Sequence, residues 1–133
     1  MSEEKEQRFQ AYVENAKKER GYLPASMVYA ARHDIDFIEA YDRVYATTMN
    51  DGQELPAKYR ELVCAGVLAF RGFDAAVLEH VRRAIRLGAT KREVLDAFES
   101  TLIPGGWPTV SAGLRALLKI EEEEQAQQAK GAA

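Results

Sequence analysis

Hydrophobic positions recur along this chain at intervals of three and four residues, the period of an amphipathic helix, and no convincing period-two stretch interrupts them. Residues 1–20 are rich in Glu, Lys, Gln and Ala and carry Phe9, Tyr12, Val13 and Ala16. This predicts a first helix ended by Gly21, because glycine tolerates the left-handed conformation used past a helix C-terminus. Pro24 suits the first turn of a short helix bearing Met27, Val28, Ala30 and Ala31. Asp34 reads as the N-cap of a third helix with Phe37, Ile38, Tyr41, Val44 and Tyr45 as its apolar stripe.

Asn50-Asp51-Gly52 is the clearest turn. A fourth helix is predicted from Pro56 to about Phe70, and a fifth from Asp74, as its cap, to Gly88. Thr90 with Glu93 three residues on is a capping-box pattern for a sixth, running to about Leu102. Ile103-Pro104-Gly105-Gly106 breaks the pattern, and a last helix follows from about Pro108 to Ile120. The tail EEEEQAQQAKGAA has no apolar face, and four like charges at a helix C-terminus oppose the dipole, so it is expected to continue the helix briefly and fray. The fold class is all-α, a helical bundle of about six or seven helices. It reads as a single domain over 1–133, with N-terminal helices over 1–50, a core over 55–120 and a polar tail over 121–133.

Composition narrows the function classes. The 133 residues are 47% hydrophobic, enough to bury a core, and 18 basic against 21 acidic side chains leave a net charge of −3. That balance gives no electrostatic reason to expect nucleic acid or an anionic membrane as partner. No segment reaches the roughly 18 apolar residues that span a bilayer. The N-terminus MSEEKEQRF lacks the apolar stretch of a signal peptide. The single cysteine, Cys64, excludes an intrachain disulfide framework and a cysteine-rich zinc site. The two histidines, His33 and His80, are too far apart for zinc-ligand spacing. A cytoplasmic location is expected, with neither metal nor cofactor.

The segment from Leu55 to Leu87 holds the candidate chemistry. Glu61 lies inside an otherwise apolar helix and shares a face with Cys64, Ala65 and Leu68. His80 lies midway along the next helix on a stripe with Phe73, Ala76, Val77 and Ala84. Two antiparallel helices joined at Arg71-Gly72 can bring Glu61 and His80 together. A carboxylate beside an imidazole is a unit of general acid–base chemistry, because the carboxylate orients the ring and raises its basicity. Structural readings stay open beside this one. His80 also fits a packing role, and Glu61 also fits a surface pair with Arg60 or Lys58. Cys64 fits the core better than a nucleophile, since buried thiols behave as small hydrophobes. Arg82, Arg83 and Arg86 also fit a solvated face with Glu79 pairing Arg83, and His33 has no partner pattern. Gly105-Gly106 reads as a tight turn or as a close backbone approach to a ligand walled by Trp107.

Taken together, these residues resemble the carboxymuconolactone decarboxylase and alkyl hydroperoxidase D superfamily. The resemblance runs from Leu55 to about Leu117. It rests on Arg60-Glu61-Leu62, the HVRRA segment His80–Ala84, the LGATKREVLDAF run Leu87–Phe98, and the turn Gly105-Gly106-Trp107-Pro108. It implies an all-α fold built on a helical hairpin, with subunits assembled as trimers or hexamers. The redox branch of the superfamily has a glutamate, a CxxC pair and a histidine. The glutamate falls on Glu61 and the histidine on His80, 19 residues apart as in that branch, whereas the two cysteine positions fall on Phe73 and Ala76. The redox nucleophile is therefore lost, and Cys64, in the preceding helix with no resolving partner, does not replace it. The decarboxylase branch also lacks the pair, but typically carries polar or acidic residues where Phe73 and Ala76 stand and a small residue where Glu61 stands.

Two functional classes follow. The first is a lyase or isomerase acting on a small organic acid or lactone. In it His80 is the general acid or base, Glu61 orients it, Phe73, Ala76 and Trp107 form an apolar wall, and Arg83 holds an anionic group. The second is a non-catalytic member that binds an apolar small molecule. A thiol peroxidase is disfavoured by the missing CxxC. Tyr12, Tyr22, Tyr29, Tyr41, Tyr45 and Tyr59 suit half-buried surfaces, including those of a homo-oligomer.

Overall fold

The computed structural model describes residues 2–132, which form seven helices and no strand among the described residues. They divide into two compact units between Gly52 and Gln53.

The first unit holds α1 (Glu3–Arg20), α2 (Ala25–His33) and α3 (Ile35–Met49). Helix α1 is favoured at both ends. The Ser2 side chain accepts from the Lys5 amide, Glu3, Glu4 and Glu6 stand in the first turn, Lys17, Lys18 and Arg20 stand in the last, and Gly21 takes φ 77°. Asp34 ends α2 and caps α3, its carboxylate accepting from the Phe37 amide at 3.0 Å. Phe9, Tyr12, Ala16, Ala31, Ile35 and Ile38 pack into a small core. Arg20, buried, pairs with Asp42 and lies over the Tyr45 ring at 4.1 Å, tying α1 to α3. The predicted α3 stripe is only partly buried. Ile35 and Ile38 are buried, while Phe37, Tyr41 and Val44 are exposed, because α1 and α2 cover only one edge of a broad apolar face.

The second unit holds α4 (Ala57–Phe70), α5 (Asp74–Arg86), α6 (Lys91–Glu99) and α7 (Leu102–Gly131). Its centre is the antiparallel α4–α5 hairpin, packed against α7 through Leu62, Ala65, Ala69, Val77, Val81, Ala84, Ala112, Ala116 and Ile120. The hairpin turn is specified locally. Gly72, at φ 79°, donates its amide to the Ala69 carbonyl while Phe73 donates to Leu68 at 3.0 Å, the paired bonds of a Schellman cap. The same device ends α5, where Gly88 donates to Ile85 and Ala89 to Ala84. Thr90 and Glu93 form the capping box of α6 with both reciprocal bonds made.

Three boundaries differ from expectation. Phe73, not Asp74, is the N-cap of α5; the Asp74 carboxylate is drawn away by Arg115, which donates to it at 2.7 Å and 3.1 Å. Helix α6 stops at Glu99, and Ile103, Pro104 and Gly105 lie within a helical turn; the break falls at Gly106 alone, at φ 73° and ψ 175°. Pro108 follows that break, where its missing N–H costs nothing. The tail does not fray after Ile120 but stays helical to Gly131. Three of its four glutamates have cationic partners on other helices. Arg82 of α5 donates to both Glu123 oxygens at 2.7–2.8 Å, and Lys91 of α6 pairs with Glu121 and Glu124.

Candidate functional site

Glu61 sits in the second turn of α4 and has no solvent exposure, although it is a carboxylate. An ionised carboxylate so placed needs charge compensation and hydrogen bonds to both oxygens. Both are supplied by α5. His80 Nδ1 lies 2.6 Å from Glu61 Oε2, and the Arg83 guanidinium donates to Oε1. The helical spacing that puts residues 80 and 83 on one face of α5 makes this pairing natural once the hairpin turn has set the two helices antiparallel. Arg83 is itself buried, with 9% of its side chain exposed, and His80 retains 13%.

The hydrogen-bond partner selects the tautomer of the neutral ring. A carboxylate only accepts, so Nδ1 carries the proton and Nε2 of the neutral imidazole carries the free lone pair. Nε2 faces Cys64 Sγ at 3.8 Å. The chain of contacts therefore runs Arg83–Glu61–His80–Cys64, from a buried ion pair to a half-buried thiol.

The structure brings three of the residues singled out in the sequence, Glu61, His80 and Arg83, into one network. Arg83 does not lie on a solvated face paired to Glu79; that glutamate pairs instead with Arg82 at 2.6 Å. Lys58 is taken by Glu93 at 3.0 Å and not by Glu61. Ala76 is half-buried one turn before His80 on α5. Phe73 is half-exposed at the start of α5 under the Arg71 guanidinium, and Trp107 is exposed at the α7 kink; both stand outside the hydrogen-bonded network.

One feature was missed in the sequence. An open groove of about 740 Å³ lies on the opposite side of α4, lined by Tyr59, Val63, Val67 and Phe70 with Ala97 of α6 and Pro104 of α7. Its signal was legible as a second apolar stripe, since Tyr59, Val63, Gly66, Val67 and Phe70 also follow helical spacing. At the polar rim Glu93 accepts from Tyr59 Oη at 2.7 Å and from Lys58 Nζ at 3.0 Å. With the Thr90 amide, these donors hold its carboxyl down at about 2. No group of His, Cys, Asp and Glu able to hold a metal ion occurs among the described residues. No helix among them is long and apolar enough to cross a membrane.

Fold and site together define an all-α protein built on a helical hairpin whose buried carboxylate holds a histidine. The family model for the carboxymuconolactone decarboxylase family matches residues 36–119, more than half of the chain, and the chain belongs to that family. Two curated relatives come from Methanocaldococcus jannaschii. The uncharacterized protein MJ1511 is 24% identical over 104 residues, covering 77% of this chain and 96% of that protein. The uncharacterized protein MJ0742 is 28% identical over 74 residues, covering 55% of this chain and 71% of that protein. A crystal structure of a candidate carboxymuconolactone decarboxylase from Burkholderia xenovorans LB400 superposes with a TM-score of 0.75. It covers 92% of this chain and 98% of its own at 22% identity, a likeness of fold.

Proposed function

We propose that this protein is an acid–base enzyme, a lyase or isomerase that moves a proton on a small organic acid or lactone without a cofactor. His80 is the proton carrier. Its Nε2 removes a proton from a carbon next to a carbonyl, or returns one to the enolate left after carbon dioxide departs. Glu61 fixes the ring through Nδ1 and stabilises the imidazolium that forms. Arg83 has its charge turned toward Glu61, so in this reading it keeps that carboxylate ionised and steadies it. Phe73, Ala76 and Trp107 are the apolar residues offered to the substrate, Ala76 and Phe73 lying one and two turns from His80 on the same side of α5.

The observation that carries this reading is the 2.6 Å contact between His80 Nδ1 and a carboxylate with no solvent exposure. A surface pair would orient nothing, whereas this one leaves a single ring nitrogen for chemistry. The test is a thermal-shift screen against aromatic acids and lactones, followed by product assay on every hit. His80→Gln should lower turnover by about 10²–10⁴-fold, the usual contribution of a positioned acid–base group. Wild-type turnover in that variant would remove His80 from the mechanism.

The open apolar groove behind α4 favours a second reading, a non-catalytic member that binds an apolar small molecule there. Binding without turnover, abolished by Val67→Arg and untouched by His80→Gln, supports it over the first. Exposed Val63, Val67 and Phe70, together with the assembly usual in the family, also support a homo-oligomer, a trimer or hexamer, which light scattering after gel filtration measures. A cytoplasmic location rests on the solitary cysteine and is read by cell fractionation.

A further inference from the structure

Cys64 lies one helical turn beyond Glu61 on the same face of α4, and the His80 ring reaches both from α5. Its Sγ is 3.8 Å from Nε2, the ring nitrogen left with a lone pair when Glu61 takes the Nδ1 proton. Residue type alone placed this thiol in the core, but the residue is only half-buried. Nucleophile, base and orienting carboxylate thus follow one another in contact, and Arg83 closes the series behind the carboxylate. Neither the proton-transfer reading nor the positions of the missing CxxC uses this sulfur. A nucleophile within reach of a base that a third group orients is the arrangement that makes a side chain attack.

We infer that Cys64 is a covalent nucleophile toward electron-poor alkenes conjugated to a carboxylate or lactone carbonyl, with His80 as its base. The inference rests on the proposed role of His80 and adds a bond to it. Nε2 takes the thiol proton. The sulfur electron pair forms an S–C bond at the β-carbon, and the alkene π pair moves to the α-carbon and carbonyl oxygen as an enolate. The imidazolium then delivers its Nε2 proton to the α-carbon, giving a saturated thioether adduct. Atoms and electrons balance with no oxidant, reductant or further reactant. The reverse sequence expels the thiolate, so the adduct is an intermediate through which the double bond can be re-formed. The soft sulfur suits an alkene carbon, and the groups facing it, His80 and through it Glu61 and Arg83, suit the charge that moves during the addition.

The test uses the full chain and N-ethylmaleimide, a simple conjugated alkene, with adduct formation followed by intact mass. The Cys64 rate at pH 6.5 should fall at least about tenfold in His80→Gln, the order by which a neighbouring base raises a thiol's reactive fraction. An equal rate in the two proteins would overturn the inference. If His80→Gln fails to fold, the wild type alone decides: at pH 6.5 its Cys64 should react faster with N-ethylmaleimide in the folded chain than in the chain unfolded in urea, and a rate at or below that of the unfolded chain would overturn the inference. Cys64→Ser separates this inference from the reading beneath it. Turnover of a screened substrate should be lost in both Cys64→Ser and His80→Gln. Turnover kept in Cys64→Ser and lost in His80→Gln rejects the nucleophile and leaves the acid–base role standing. Turnover kept in both rejects the two together.

Discussion

Replacing Arg83 by Met tests the electrostatic foundation of the site. Glu61 has no solvent exposure, and its two oxygens are divided between the Arg83 guanidinium and the His80 ring. Methionine keeps the length and apolar volume of the arginine stem and removes only the cation. Removing one partner of a buried ion pair costs about 3–5 kcal/mol, because the other charge is left uncompensated. His80 still serves Oε2, so the loss should fall at the low end, about 3 kcal/mol. Urea unfolding followed by far-ultraviolet circular dichroism measures it, with an unchanged slope showing that the unfolded state is the same. The double variant Glu61→Gln with Arg83→Met removes both charges, and its loss should be smaller than the sum of the two single losses. If Arg83→Met unfolds within about 1 kcal/mol of wild type, the value of a surface pair, Arg83 is not the ion that holds Glu61.

Two further substitutions probe the scaffold around the hairpin. The Glu93 carboxyl is lowered from 4.5 to about 2 by Tyr59, the Thr90 amide and Lys58, so its contribution to stability is present above about pH 4.5 and lost as pH falls through about 2. The urea midpoints of wild type and Glu93→Gln should therefore differ at neutral pH and converge in strong acid; a gap constant down to pH 2 contradicts the assignment. Gly113→Ala in α7 should destabilise by at least about 1–3 kcal/mol by thermal or urea unfolding, since an added Cβ runs into the Phe98 ring. Alanine's better helix propensity would give the opposite sign if that contact were loose.

Much of the fold was legible because its devices are local. Gly21, Asp34, the Thr90–Glu93 box and the Gly72 turn each act through bonds to residues within five positions, and each stands where the sequence put it. What was misread depends on long-range partners. The four-glutamate run looked self-repelling along its own helix, but Arg82 and Lys91 pair with three of its carboxylates across the bundle. Asp74 had the residue type of a cap and was captured by Arg115, 41 positions away. Along α3 the period located an apolar face without saying how much of it α1 and α2 cover, which is why Phe37 and Val44 stand exposed.

The site divides along the same line. The pairing of Glu61 with His80 was one of the arrangements that helix period and a short hairpin allowed, and it is the one the fold makes. The burial of Arg83 did not, because an arginine on an amphipathic helix carries no mark of whether its charge faces water or a buried carboxylate. The approach of Cys64 to Nε2 depends on the rotation of α4 against α5, which spacing narrows to a face but not to a distance.

The proton map of the His80 ring tests the central claim most directly. Two-bond ¹⁵N–¹H spectra, with His80 told from His33 by the His80→Gln variant, report which nitrogen carries hydrogen in the neutral ring. The arrangement predicts hydrogen on Nδ1, directed to Glu61, and a lone pair on Nε2. A neutral ring protonated on Nε2 would turn the base away from both substrate and thiol and contradict the account.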